Sequence, residues 1–78
     1  MKGYTRKEIV QEIKTFNNAA FNDMNLIRDI NKEVTGLNVQ FEGTKFAVEG
    51  IERLFGKVAK EGFGGFRITF NYTNRKFV

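Results

Sequence analysis

Seventy-eight residues without one histidine, cysteine, serine, proline or tryptophan exclude a great deal of chemistry. Ser-His-Asp and Cys-His nucleophile sets are impossible, as are disulfide staples and zinc sites built on nitrogen and sulfur. The formal net charge of +4 comes from the ends: residues 1–7 carry Lys2, Arg6 and Lys7 and residues 62–78 carry Arg67, Arg75 and Lys76, both without an acid, while 8–61 holds seven bases and nine acids.

A single domain over residues 1–78 is expected from this length. A core so small hides only about 60% of the unfolded surface. Nine phenylalanines compensate, since each large apolar side chain contributes roughly 1.5–3 kcal/mol when fully buried. No apolar run approaches the ~20 residues of a membrane span. The basic N-terminal residues have no apolar stretch behind them, so no secretory signal is expected and a cytoplasmic location is the default.

In chain order, Thr5 followed by Glu8 is a capping box that opens a helix. Ile9, Ile13, Phe16, Ala20, Met24 and Ile27 then recur at helical spacing, and Val34-Thr35-Gly36-Leu37 resembles a C-cap with Gly36 left-handed. The expectation over 6–34 is an N-terminal helical region, either one kinked helix or two. Unbroken, it would be roughly 43 Å long, and the Asn-rich stretch from Asn17 to Asn25 has the weak helix propensity that favours a break. If the helix is continuous, its overhanging apolar face predicts a homodimer, with Ala19, Phe21, Leu26 and Ile30 as surplus apolar surface.

Gly43-Thr44 between 37–42 and 45–49 reads as a type II′ hairpin that pairs Phe41 with Phe46 and Val39 with Val48. Ile51, Leu54, Phe55 and Val58 give an amphipathic helix, with Glu49/Arg53 and Lys57/Glu61 at favourable spacing, Gly56 in its interior and Gly62 at its close. Phe66, Ile68, Phe70 and Tyr72 alternate strictly with polar residues as a last strand. The expected fold is α+β: the helical region, then ββαβ, with a three-stranded sheet and helices packed on one face. Its other face would show Asn38, Gln40, Glu42, Lys45, Ala47, Glu49, Arg67, Thr69 and Asn71. That face lacks aromatics, which argues against a platform for stacked bases.

Glu8/Glu12 and Asp29/Glu33 stand one turn apart on a helix and have the spacing to touch a magnesium ion, but charged helix stripes do this by geometry alone. No phosphate loop or dinucleotide fingerprint is present, and no metal or cofactor is expected. The unusual local motif is Gly62-Phe63-Gly64-Gly65-Phe66. Its glycines permit positive φ or close approach of a ligand, and an exposed Phe63 would anchor a partner. The bland alternative makes Gly62 a helix cap and Phe63 its hydrophobic contact.

Gly62-Phe63-Gly64-Gly65-Phe66-Arg67-Ile68 is similar to the Gly-Phe-Gly-x-Phe strand motif of the bacterial histone-like DNA-bending family. Lys57-Val58, the basic Asn74-Arg75-Lys76 and the helix start at Thr5–Ile9 are compatible with it. Membership would imply a dimer that bends DNA. The hairpin signal at 37–49 stands where that family has helix, and the family's DNA-gripping arm has no counterpart, so the family is not assigned.

The composition leads to a non-enzymatic binding protein that occupies a surface of a larger macromolecule, a host protein ahead of nucleic acid. Small size and abundant Asn, Lys, Ile and Phe suit phage or mobile-element accessory proteins that inhibit host machinery, defence systems included. The partner-binding residues expected are Phe63, Gly64, Gly65, Arg67, Thr69 and Asn71. The alternative is a small basic nucleic-acid-binding protein that contacts phosphates through Lys2, Arg6, Lys7, Arg67, Arg75 and Lys76.

Overall fold

The computed structural model describes residues 3–78. Helix α1 (Arg6–Lys14) is followed by β1 (Ala19–Arg28), β2 (Val34–Gly43), α2 (Lys45–Phe55), β3 (Lys60–Gly62), β4 (Gly65–Thr73) and β5 (Lys76–Phe77). The α+β class stands, but the sheet has five strands rather than three. All of its strand pairs are antiparallel, in the order β1-β2-β4-β3 with β5 also on β4.

The capping box forms as the sequence requires: Thr5 Oγ1 accepts from Glu8 N–H, and the Glu8 carboxylate accepts from Thr5 N–H at 2.8 Å. The helix then stops after nine residues. The Thr15 hydroxyl donates back to the Glu12 carbonyl at 2.6 Å, and Asn18 takes a left-handed φ of 64°, which asparagine tolerates better than most residues. The helical region expected over 6–34 is therefore not there: α1 ends at Lys14, before the Asn-rich stretch, and the chain continues as strand β1. A 43 Å helix would also overrun the molecule, whose longest extent is 37 Å.

A bulge interrupts the alternation of strand β1, and Ala20 and Ile27, which the helical stripe used, lie off its core face. Its register on β2 shifts between Phe21 and Asp23. Ala19 and Phe21 face the core before the shift and Met24 and Leu26 after it. The extra residue turns a spacing of two into three. Gly36 is a buried β2 residue and not a cap; a Cβ there would lie 2.7 Å from the Phe70 carbonyl. The turn from β1 to β2 is held by Asp29, whose carboxylate accepts from the N–H of Asn31 and Glu33.

The Gly43-Thr44 hairpin does not form. Thr44 caps α2, its hydroxyl accepting from Ala47 N–H. Phe41 pairs with Phe21 and Phe66, and Val39 with Met24 and Ile68. Ala47, Val48 and Ile51 form the buried face of α2, which leaves Phe46 exposed. The helix ends at Gly56, not Gly62: Gly56 has a φ of 64°, and Lys57 N–H returns to the Glu52 carbonyl at 3.0 Å. This is a Schellman closure. The Lys57/Glu61 pair therefore has no helix beneath it, and Gly62 belongs to β3.

Both helices supply the core on one side of the sheet. Ile9 and Ile13 of α1 and Val48 and Ile51 of α2 meet Leu37, Val39 and Phe41 of β2, Ile68 and Phe70 of β4, and Phe77 of β5. Phe55 links the layers edge-on, with ring centroids 5.1 Å from Tyr4 and 5.2 Å from Phe70. Ala19, Phe21 and Leu26, expected as surplus dimer surface, pack against this core, and Ile30 alone of that set stays exposed.

The outer edge of β4 is covered twice. Strand β3 pairs its first three residues, and β5 pairs Tyr72 and Thr73 at its far end. Asn71 and Val78 exchange both backbone hydrogen bonds, at 2.8 and 2.7 Å. Tyr4 pairs in turn with Phe77, at 2.9 and 2.8 Å. The outer edge of β1 carries no strand among the described residues. No helix among them is long and apolar enough to cross a membrane.

Candidate functional site

The face of the sheet away from the helices is polar. Register places Asp23, Gln40, Arg67 and Lys60 in one row across β1, β2, β4 and β3. The row runs from an acid on one edge to two bases on the other. A second row holds Asn25, Asn38 and Thr69, and the Thr69 hydroxyl donates to Asn38 Oδ1 at 2.7 Å. Of the residues expected on this face, Asn38, Gln40, Glu42, Arg67, Thr69 and Asn71 are there. Lys45, Ala47 and Glu49 are on α2 instead.

The glycine motif forms the β3–β4 hairpin, with Gly62 paired to Gly65 and Phe63-Gly64 at the tip. Phe63 is fully exposed, so it makes no cap contact. Gly64 has a φ of 85° while Phe63 has no positive φ, which matches a type II turn and not the primed turns whose twist suits a two-residue hairpin. Gly65 absorbs the mismatch at a φ of 120°, and a Cβ on it would stand 2.5 Å from the Phe41 carbonyl oxygen. The tip is also braced from the bulge of β1, where Asn22 Nδ2 donates to the Gly64 carbonyl at 3.0 Å.

Beside the tip lies a shallow hollow of about 390 Å³ whose walls include Gln40, Lys60, Glu61, Phe66 and Arg67. Lys60 and Arg67 are direct cross-strand partners, and like charges so placed repel. The expected partner-binding residues thus form one continuous feature. Phe63, Gly64 and Gly65 make its tip, and Arg67, Thr69 and Asn71 run from it along the open face of β4.

The expected phosphate-contact residues do not form one set. Arg67 stands at the hairpin end of the sheet. Arg6 and Lys7 open α1, and Arg75 and Lys76 meet them at the opposite end through the Tyr4–Phe77 pairing. Lys2 lies outside the described residues. Sequence reasoning missed Asn22, Lys60 and Gln40 as neighbours of the tip: the bulge of β1 brings Asn22 there, and the registers of β2 and β3 on β4 bring Gln40 and Lys60.

Of the carboxylates considered for magnesium, two serve the backbone: Glu8 accepts from Thr5 N–H, and Asp29 from Asn31 and Glu33 N–H. Among the described residues no three carboxylates cluster as metal ligands would. Fold and site together define the class: a small α+β domain with helices on one sheet face and an open polar face ending in an aromatic hairpin. Comparison with known proteins returns no match among family models, curated proteins or solved structures.

Proposed function

We propose that the chain is a non-enzymatic binding protein that docks on a larger macromolecule through the β3–β4 hairpin and the adjoining open face of β4. The observation that carries this reading is Phe63, a large ring held wholly in solvent on a tip braced by Asn22 and by the close seat of Gly65 on β2. An aromatic carried on a braced backbone loses little chain entropy on binding and acts as an anchor. The facing Lys60 and Arg67 cost stability in the free protein, and acidic groups around an apolar notch on the partner would relieve that repulsion. A protein surface with an acidic rim is the complement. The chain's small size and Asn-, Lys-, Ile- and Phe-rich composition favour a blocking role, as in phage-type inhibitors of host machinery.

The test is capture from a nuclease-treated host lysate, run in parallel with wild type and Phe63→Ser. A stoichiometric protein held by wild type and lost by the variant is the expected result, with a loss of at least about 2 kcal/mol once the pair is purified. A partner bound equally well by Phe63→Ser, or none at all, would end this reading. Unfolding free energies of the two proteins should agree within about 0.5 kcal/mol, because the ring touches nothing that holds the fold.

A second reading, nucleic-acid binding through the ends of the chain, gains support from the Tyr4–Phe77 pairing that gathers Arg6, Lys7, Arg75 and Lys76. Arg67 lies too far along β4 to join them. Affinity for DNA or RNA that falls steeply with salt is its signature, and no mobility shift at low salt would dismiss it.

A further inference from the structure

At the opposite end of the sheet the core layer outruns the helix that covers it. Strand β4 continues past Phe70 to Tyr72, while Leu26 of β1 stands in register with Leu37 and Phe70 and Val34 opens β2 beyond them. Helix α1 begins at Arg6 above them. A hollow of about 250 Å³ remains, with Leu26, Val34, Tyr72 and Phe77 in its lining. Leu26 and Val34 are half-buried, and Tyr72 is more open to solvent. Phe77 is buried, its ring 4.9 Å from that of Tyr72.

The polar lining is Thr5, Arg6 and Arg75. The two guanidiniums come from opposite ends of the chain, and neither has an ion-pair partner among the described residues. The Glu8 carboxylate accepts from the Thr5 N–H and is not part of this lining. The first turn of α1 adds the positive end of its dipole.

Arg75 is also held at a cost. It occupies the second central position of the β4–β5 turn with a φ of 64°, after Asn74 at 52°. Positive φ at both central residues is the type I′ geometry, where glycine at this position is strain-free. An arginine there carries local left-handed strain, and it lines the apolar hollow.

We propose that this hollow binds the C-terminal residue of a peptide or protein chain, with its apolar side chain in the hollow and its free carboxylate between Arg6 and Arg75. The volume sets the class. Dedicated small-molecule pockets run from about 300 Å³ upward, whereas 250 Å³ takes one branched or aromatic side chain. A terminal residue presents that side chain and a carboxylate on the same carbon, which matches an apolar floor beneath two cations. The site lies at the other end of the sheet from Phe63 and does not depend on the hairpin reading.

The test is a titration of the protein with acetyl-Gly-Gly-Phe, monitored through backbone amide shifts in a nitrogen–proton correlation spectrum. Saturable shifts at Leu26, Val34, Tyr72 and Phe77 are expected. Capping the peptide as its C-terminal amide should weaken binding about tenfold, and so should Arg6→Gln or Arg75→Gln, since a hydrogen bond to a charged group is worth about that factor. Phe63→Ser should change nothing here, which separates the two sites. The proposal fails if the amide binds as well as the acid, if those four residues do not respond, or if phenylacetate binds as tightly as the peptide, which would assign the hollow to small carboxylates.

Discussion

The two ends of the sheet solve one problem in opposite ways. At one end β3 turns into β4 through Phe63-Gly64, and Gly64 and Gly65 take the positive φ values. At the other, β4 turns into β5 through Asn74-Arg75, and both residues take positive φ without a glycine between them. The glycine turn is relaxed in its own backbone but locked by its neighbours, since Gly65 sits against the Phe41 carbonyl and Gly64 is tied to Asn22. The other turn stores its strain locally and is fixed by the Thr73–Lys76 and Asn71–Val78 pairings. Each end presents a side chain proposed to bind, an aromatic in one case and a cation in the other. Rigidity at a loop tip can thus come from contacts around a permissive residue or from pairing beside a strained one.

Three substitutions probe this contrast. The largest effect belongs to Phe70→Ala. Phe70 is buried midway along β4, and its loss should cost about 3–5 kcal/mol and loosen both ends together. Hydrogen exchange that reports opening at one end only would show that the ends are separate cooperative units. Gly65→Ala should cost about 3 kcal/mol, because a Cβ at a φ of 120° would collide with the Phe41 carbonyl. A urea midpoint close to wild type would mean that the hairpin does not press on β2 as described. Arg75→Gly is the smallest and has the opposite sign. Relief of left-handed strain outweighs glycine's added chain entropy by about 0.5 kcal/mol, so the melting temperature should rise slightly. A fall would show that the Arg75 stem packs on the apolar hollow and holds the turn.

Legibility in the sequence followed the locality of each signal. The Thr5–Glu8 cap and the alternation of Phe66, Ile68, Phe70 and Tyr72 are written within a few neighbouring residues, and both are present; the glycine motif stood out too, but with Gly62 read as the close of a helix where the β3–β4 hairpin begins. Strand β1 was illegible because Ala20 and Ile27, off its core face, extend the spacing of Phe16 and Met24 into a helical stripe, while the bulge at Phe21–Asp23 interrupts the alternation of Ala19, Phe21, Met24 and Leu26. Gly43-Thr44 misled for a related reason. Threonine at that point serves equally as a turn residue or as a helix cap, and the arbiter is Val48 and Ile51 packing beneath the sheet, which no local window contains. The candidate site obeyed the same rule. Phe63 and Arg67 were readable, whereas Asn22 reaches the tip from 42 positions away, and Lys60 and Gln40 face Arg67 only through sheet register.

The cover on the outer edge of β4 has a consequence for self-association. With the short β3 and β5 on that side, the one long unguarded border of the sheet among the described residues is β1. A molecule with a single sticky border can zip to one neighbour, border to border, and the union then has none left to offer. Head-to-tail stacking into fibrils needs two such borders per subunit, so this architecture limits strand-to-strand growth to a closed pair.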